Sequence, residues 1–135
     1  MKLLASFILT CSTFICAAQT STNINGSWIP VKQEIGGKEL PVASFEKQKL
    51  VINDSNYIFT AESVDKGIAK YTDDKMDIYG KEGVNSGKHF TAVYKLENNK
   101  LTICYNLAGD SYPTAFETKS KPTLFLSVFE REQAK

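Results

Sequence analysis

Histidine and cysteine are nearly missing from this chain. Its 135 residues hold one histidine, His89, and three cysteines, Cys11, Cys16 and Cys104. The first two lie in or beside an apolar N-terminal run, so only Cys104 remains downstream. A single thiol closes no internal disulfide, and together with one imidazole it makes no zinc site. Neither a metal nor any other cofactor is expected. An excess of one charge is lacking too, with Lys and Arg totalling 16 against 15 for Asp and Glu. Lys2 is the only charged side chain in the N-terminal run, and without it the signs balance. That balance argues against nucleic acid or an anionic membrane surface as a partner bound by bulk charge. No stretch of roughly twelve residues carries a helical stripe, and no repeat, low-complexity block or internal linker interrupts the chain.

What is present begins with a leader. Met1-Lys2 is a minimal positive start, Leu3 to Ile15 is apolar, and Cys16-Ala17-Ala18 supplies small residues just ahead of a cut before Gln19. Residues 1–18 therefore read as a signal peptide. The run is shorter than the roughly 20 residues a membrane span needs, so no stable membrane anchor is expected. Lipidation wants a small residue before the cysteine, and Thr10 and Ile15 fit poorly. The expected location is secreted or periplasmic, and the mature protein is expected to be a monomer. Polar residues 19–25 read as a flexible lead-in, and residues 26–132 as one domain, long enough for a single core.

From Gly26 onward, short apolar runs alternate with turn residues every eight to twelve positions or so, the pattern of an all-β sandwich or barrel. Two hairpins can be registered. A turn at Asn98-Asn99 sets Leu96 opposite Leu101, Tyr94 opposite Ile103 and Ala92 opposite Tyr105, with the apolar set on one face. Asparagine tolerates the left-handed backbone such turns require. A turn at Asp54-Ser55 pairs Ile52 with Tyr57 and Leu50 with Phe59. Its other face, Val51 against Ile58, is also apolar, so this hairpin is expected to be covered on both sides. Further strands are expected over 28–35, 67–71, 75–79, 114–118 and 123–131, with a short helical turn within 42–48 after Pro41. The fold class is all-β, a single antiparallel barrel of about eight to ten strands.

Gly26-Ser27-Trp28 at the start of the first strand resembles the Gly-x-Trp signature of lipocalins and the wider calycin group. The resemblance implies that the Trp28 indole plugs the closed end of the barrel and that a basic residue on the last strand, here Arg131 in Phe129-Glu130-Arg131, lies across it. A guanidinium over an indole is worth about 0.5–2 kcal/mol. More of the chain resembles uncharacterised secreted bacterial proteins built as lipocalin-like domains. The pieces are Gly37-Lys38-Glu39-Leu40-Pro41, Gly87-Lys88, Tyr94-Lys95-Leu96, Leu101-Thr102-Ile103-Cys104-Tyr105 and Pro113-Thr114-Ala115-Phe116. The chain departs from that pattern at Tyr112, where a basic residue is usual, and around Thr72 to Lys75, which is shortened. The resemblance implies a fold and export but no activity.

Candidate chemistry is sparse. His89 falls beside Gly87-Lys88 on the parity opposite Phe90, a rim position, and no Gly-x-Ser-x-Gly elbow accompanies it. Asp73, Asp74 and Asp77 lack the spacing and glycine of a calcium loop and read as a charged turn. Cys104 shares a face with Thr102 and Asn106, opposite Val93, with no evident stabiliser for a thiolate, and reads as a strand filler. No catalytic residue and no enzymatic activity is expected. The leading expectation is a barrel that holds a small apolar ligand, with no ligand-binding residue assignable from sequence. The alternative is a protein–protein interaction or inhibitor module whose barrel is filled by its own side chains.

Overall fold

The structure, a computed structural model, describes residues 23–133. The signal peptide expected over 1–18 and residues 19–22 of the lead-in lie outside the described residues. Nine strands follow in order: β1 Gly26–Ile35, β2 Lys38–Glu39, β3 Lys49–Asn53, β4 Asn56–Thr60, β5 Val64–Thr72, β6 Lys75–Glu82, β7 His89–Glu97, β8 Lys100–Asn106 and β9 Leu124–Arg131. A 3-10 turn at Val42–Ser44 follows Pro41, inside the segment where a helical turn is expected. Every strand from β3 to β9 pairs antiparallel with its sequence neighbour, and β1 pairs with both β3 and β9. Eight strands thus close an antiparallel barrel. The two-residue β2 folds back on the end of β1 through Glu34–Glu39 and Ile35–Lys38.

Both hairpins adopt the register that side-chain parity dictates. Leu96 faces Leu101, Tyr94 faces Ile103, and Ala92 faces Tyr105. Asn98 and Asn99 both take positive φ, at 51° and 61°, the backbone a two-residue hairpin turn requires. Ile52 faces Tyr57 and Leu50 faces Phe59 across the turn at Asp54, itself at φ 55°. The inward set Trp28, Leu50, Ile52, Ala69, Met76, Ile78, Ala92, Leu101, Ile103 and Phe129 forms one buried core. In β1 the register slips between Pro30 and Lys32. Pro30 has no N–H to give the ladder, and a bulge there bends the strand as the barrel wall curves.

Three expectations are corrected. Residues 114–118 form no strand: β8 pairs directly with β9 from Asn106–Leu124 to Lys100–Glu130, so the closed barrel has no free edge for them. They belong instead to a strap from Leu107 to Thr123 that crosses the outer face. The Val51–Ile58 face is not covered, since Val51 is only half-buried and Ile58 is exposed. Asn23 to Asn25 are not a loose lead-in. Ile24 is buried, the Asn25 amide donates to Asp54 Oδ1 at 3.0 Å, and the Asp54 backbone N–H donates to Asn25 Oδ1 at 2.8 Å. Backbone that must satisfy Trp28 and Arg131 is held by them.

Candidate functional site

Trp28 is buried near the start of β1, at the end of the barrel that carries the β3–β4 turn. Its side chain has 0% exposure, its Nε1–H donates to the Ile24 carbonyl at 2.9 Å, and it is the direct partner of Arg131 across β1 and β9. The guanidinium carbon of Arg131 lies 4.3 Å from the indole ring centre, and its two terminal nitrogens donate to the Asn25 and Asn23 carbonyls at 2.8 and 2.9 Å. Gly26 explains the glycine two places before the tryptophan. It sits at φ +135°, and a Cβ there would come within 2.9 Å of Arg131 Nη1. The glycine makes the space the guanidinium occupies.

Beyond Trp28 the interior is open. A cavity of about 150 Å³ is walled by Leu50, Ile52, Met76, Ile78 and Ile103, by Tyr57, Phe59, Phe90 and Phe129, and by Tyr71 and Tyr105. Small inward residues create the room: Gly67 faces Gly80 across β5 and β6, and Ala69 and Ala92 stand where other inward positions are large. A Cβ on Gly67 would strike the Tyr57 ring, so that ring lies across the glycine and forms part of the wall. Toward the mouth the lining becomes Asp65, Asn85, Leu107 and Phe125. Asp65 is only 6% exposed, and its carboxylate accepts from the Asn85 backbone N–H and side-chain amide, each at 3.3 Å. Among the described residues no lysine, arginine or histidine lines this space.

The tyrosines in the wall are kept neutral. Burial pushes the Tyr71 hydroxyl up to about 12, with a further push from Tyr94. Burial raises Tyr105 still more, and it lies near enough to Tyr57 and Tyr71 for their charges to add to the effect. Tyr57 is raised by burial and then by the Asp65 carboxylate. Each phenol is therefore a hydrogen-bond donor at neutral pH. Among the described residues the buried Tyr71 hydroxyl has no hydrogen-bond partner.

Outside the barrel, Asp77 and His89 are brought together across β6 and β7. His89 Nε2 lies 2.7 Å from Asp77 Oδ1, and the Tyr112 hydroxyl donates to Asp77 Oδ2 at 2.5 Å. The imidazole stacks on Tyr79 at 4.7 Å and 13°. Asp77 is thus in a strand, not a charged turn, whereas Asp73 and Asp74 do form the β5–β6 turn and offer carbonyls to Tyr94. Tyr112 first, then His89, hold the Asp77 carboxyl below its ordinary range. Among the described residues no hydroxyl or thiol hydrogen-bonds to the second ring nitrogen of His89, and Ser111 Oγ is near Asn106 instead. What the cluster does is fasten the strap. Tyr112 and Phe116 pack with Val128 against Val93, Cys104 and Leu126, and Pro113 between them in sequence is buried. Thr91 donates to the Ser111 carbonyl, and Thr118 is fully buried between Gly37 N–H and Glu34. Cys104 lies beneath the strap with its Sγ 3.6 Å from the Glu117 carbonyl, and burial pushes its thiol up to about 11.

Sequence reasoning missed the cavity-lining tyrosines and Asp65. The available signal was Gly67, Ala69 and Ala92 at inward parity beside Tyr57, Tyr71 and Tyr105: small residues among large ones on the same face. Comparisons with protein-family models, with curated proteins and with solved structures find no match.

Proposed function

We propose that this chain is an exported, lipocalin-like carrier: a monomeric, non-catalytic barrel that holds one small, largely apolar molecule in its interior. The observation that carries the reading is the apolar cavity above Trp28. A void of about 150 Å³ lined mainly by aliphatic and aromatic side chains is the size that accepts a benzene-like guest. Burying about 200 Å² of ligand at about 25 cal/mol per Å² gives roughly 5 kcal/mol of transfer energy. Lost ligand freedom takes part of this back, so micromolar or weaker affinity is expected. The closed eight-stranded antiparallel architecture is consistent with the lipocalin-like class, and the Met1–Ala18 leader supports export to a periplasm or the medium.

A second reading, an interaction module, has one observation of its own. The loops at the end opposite Trp28 display Val42, Val64, Val84 and Leu107, exposed by 61%, 48%, 67% and 40%. Native mass spectrometry of protein exported by its own cells separates the two. The carrier reading expects a mature chain beginning at or near Gln19, without lipid, and a co-purifying apolar metabolite. A stoichiometric protein partner with no small molecule would favour the module.

A further inference from the structure

Among the described residues, Asp65 is the one charged side chain in the wall of the cavity, and folding leaves it without a counter-ion. It faces inward by register, standing across from Phe59 on β4, which in turn faces Leu50 on β3. Only 6% of the residue is exposed. A buried carboxylate is costly unless a cation or a full set of donors surrounds it. The next residue, Lys66, is exposed and reaches Glu82 at 3.9 Å, and among the described residues no ion pair includes Asp65. Asn85 supplies both hydrogen bonds to the carboxylate, and each is long at 3.3 Å. An ionised carboxylate has about four acceptor positions, so about two are left over. The group is nonetheless held in place. Gly83, at φ +92°, keeps its space clear, since a Cβ there would strike Asp65 Oδ1. The β6–β7 loop thus fixes a negative charge at the mouth of an apolar chamber.

We infer that the guest is a protonated amine, whose ammonium group seats against the Asp65 carboxylate at the mouth while its hydrocarbon part fills the cavity behind. This rests on the carrier reading and adds the chemistry of the guest. Phe59, Phe90 and Phe125 line the same space, and aromatic rings attract a cation that is drawn out of water. A metal ion matches less well, because among the described residues no group of three His, Cys, Asp or Glu side chains is placed to hold one. An anion would meet the Asp65 charge with no cation in the wall to offset it. A neutral guest would fill the cavity but leave the carboxylate as it was. Volume sets the other limit, since about 150 Å³ admits one ring. The class is therefore an amine on a single ring, or on a branched aliphatic group of similar bulk.

Isothermal titration with benzylamine, benzyl alcohol and toluene at neutral pH tests this on the wild type and on Asp65→Asn. The three ligands share a ring and differ in the group presented at the mouth. Asparagine still offers the Asn85 N–H an oxygen, so the variant should fold, as its urea midpoint checks. The wild type should bind benzylamine at least about tenfold tighter than benzyl alcohol, the scale of a hydrogen bond to a charged group. Asp65→Asn should remove that preference and leave toluene unchanged. In the wild type the Asn85 side-chain amide resonances should shift more with benzylamine than with toluene, a readout that needs no variant. Benzyl alcohol or toluene binding the wild type as tightly as benzylamine would overturn the inference and leave the carrier standing. So would a benzylamine preference that survives in Asp65→Asn, or equal Asn85 shifts with the two ligands. Binding of none of the three would remove the carrier reading and the inference with it.

Discussion

Trp28 and Arg131 are joined by three separate physical demands: the indole needs a cover, its N–H needs an acceptor, and the guanidinium needs carbonyls. Asn23, Ile24 and Asn25 meet the last two with backbone oxygens. Trp28→Ala should cost about 3–5 kcal/mol as a large-to-small core change. Arg131→Ala should cost less and redden the emission of the only tryptophan. Urea midpoints and fluorescence read both, and an unchanged midpoint for Trp28→Ala would refute the plug. The pairing of these two residues was legible only through the resemblance of Gly26-Ser27-Trp28 and Phe129-Glu130-Arg131 to the lipocalin pattern. The Asp77–Tyr112 bond was not, since it joins a strand to a loop whose path no local pattern fixes. The Asp77 carboxyl is held below its ordinary 3.8. Its contribution to stability is therefore present above that value and lost as pH falls through the lower folded-state value. Asp77→Asn should thus be less stable than wild type at neutral pH, with the gap closing in acid below about pH 4. A gap that stays constant down to strongly acid pH would show that the carboxylate charge is not what holds Tyr112.

Among the elements, the hairpins and the strap differ in how much sequence determines them. Asn98-Asn99 has apolar residues at matched parity on both sides, so turn chemistry and hydrophobic pattern agree and the register is forced. The segment 114–118 carries Thr and Phe at strand-like positions, yet whether it finds an edge depends on β8 meeting β9, which is a property of closure. The strap therefore packs by side chains on the outer face, over Val93, Cys104 and Leu126. Cys104 reports on it. With its thiol fully buried and pushed up to about 11, it should react with a disulfide reagent only through local opening. Tyr112→Phe, which releases the strap from Asp77, should speed labelling several-fold while leaving the global urea midpoint nearly unchanged. Labelling that accelerates only in step with global unfolding would mean that the strap and the barrel open as one unit.

For the molecule as a whole, the all-β class and an antiparallel barrel of about eight to ten strands follow from strand number and alternation, and eight strands close it. The state of the interior does not. Inward parity could be assigned to Tyr57, Ala92 and Tyr105 from the hairpins, but a cavity is the difference between the enclosed volume and the sum of side chains from eight strands. Gly67, Gly80, Ala69 and Ala92 decide that difference only once they are set around one axis. The central claim is that this space receives a small apolar molecule, and methyl NMR of the folded protein tests it most directly. On titration with toluene, the methyl resonances of Ile52, Met76, Ile78 and Ile103 should shift in a saturable way, while those of Val31 and Val128 on the outer face stay in place. Ala69→Phe, which places a ring in the cavity from its wall, should abolish the shifts. Unmoved interior methyls in the wild type, or shifts confined to the exposed valines of the loops, would contradict the account.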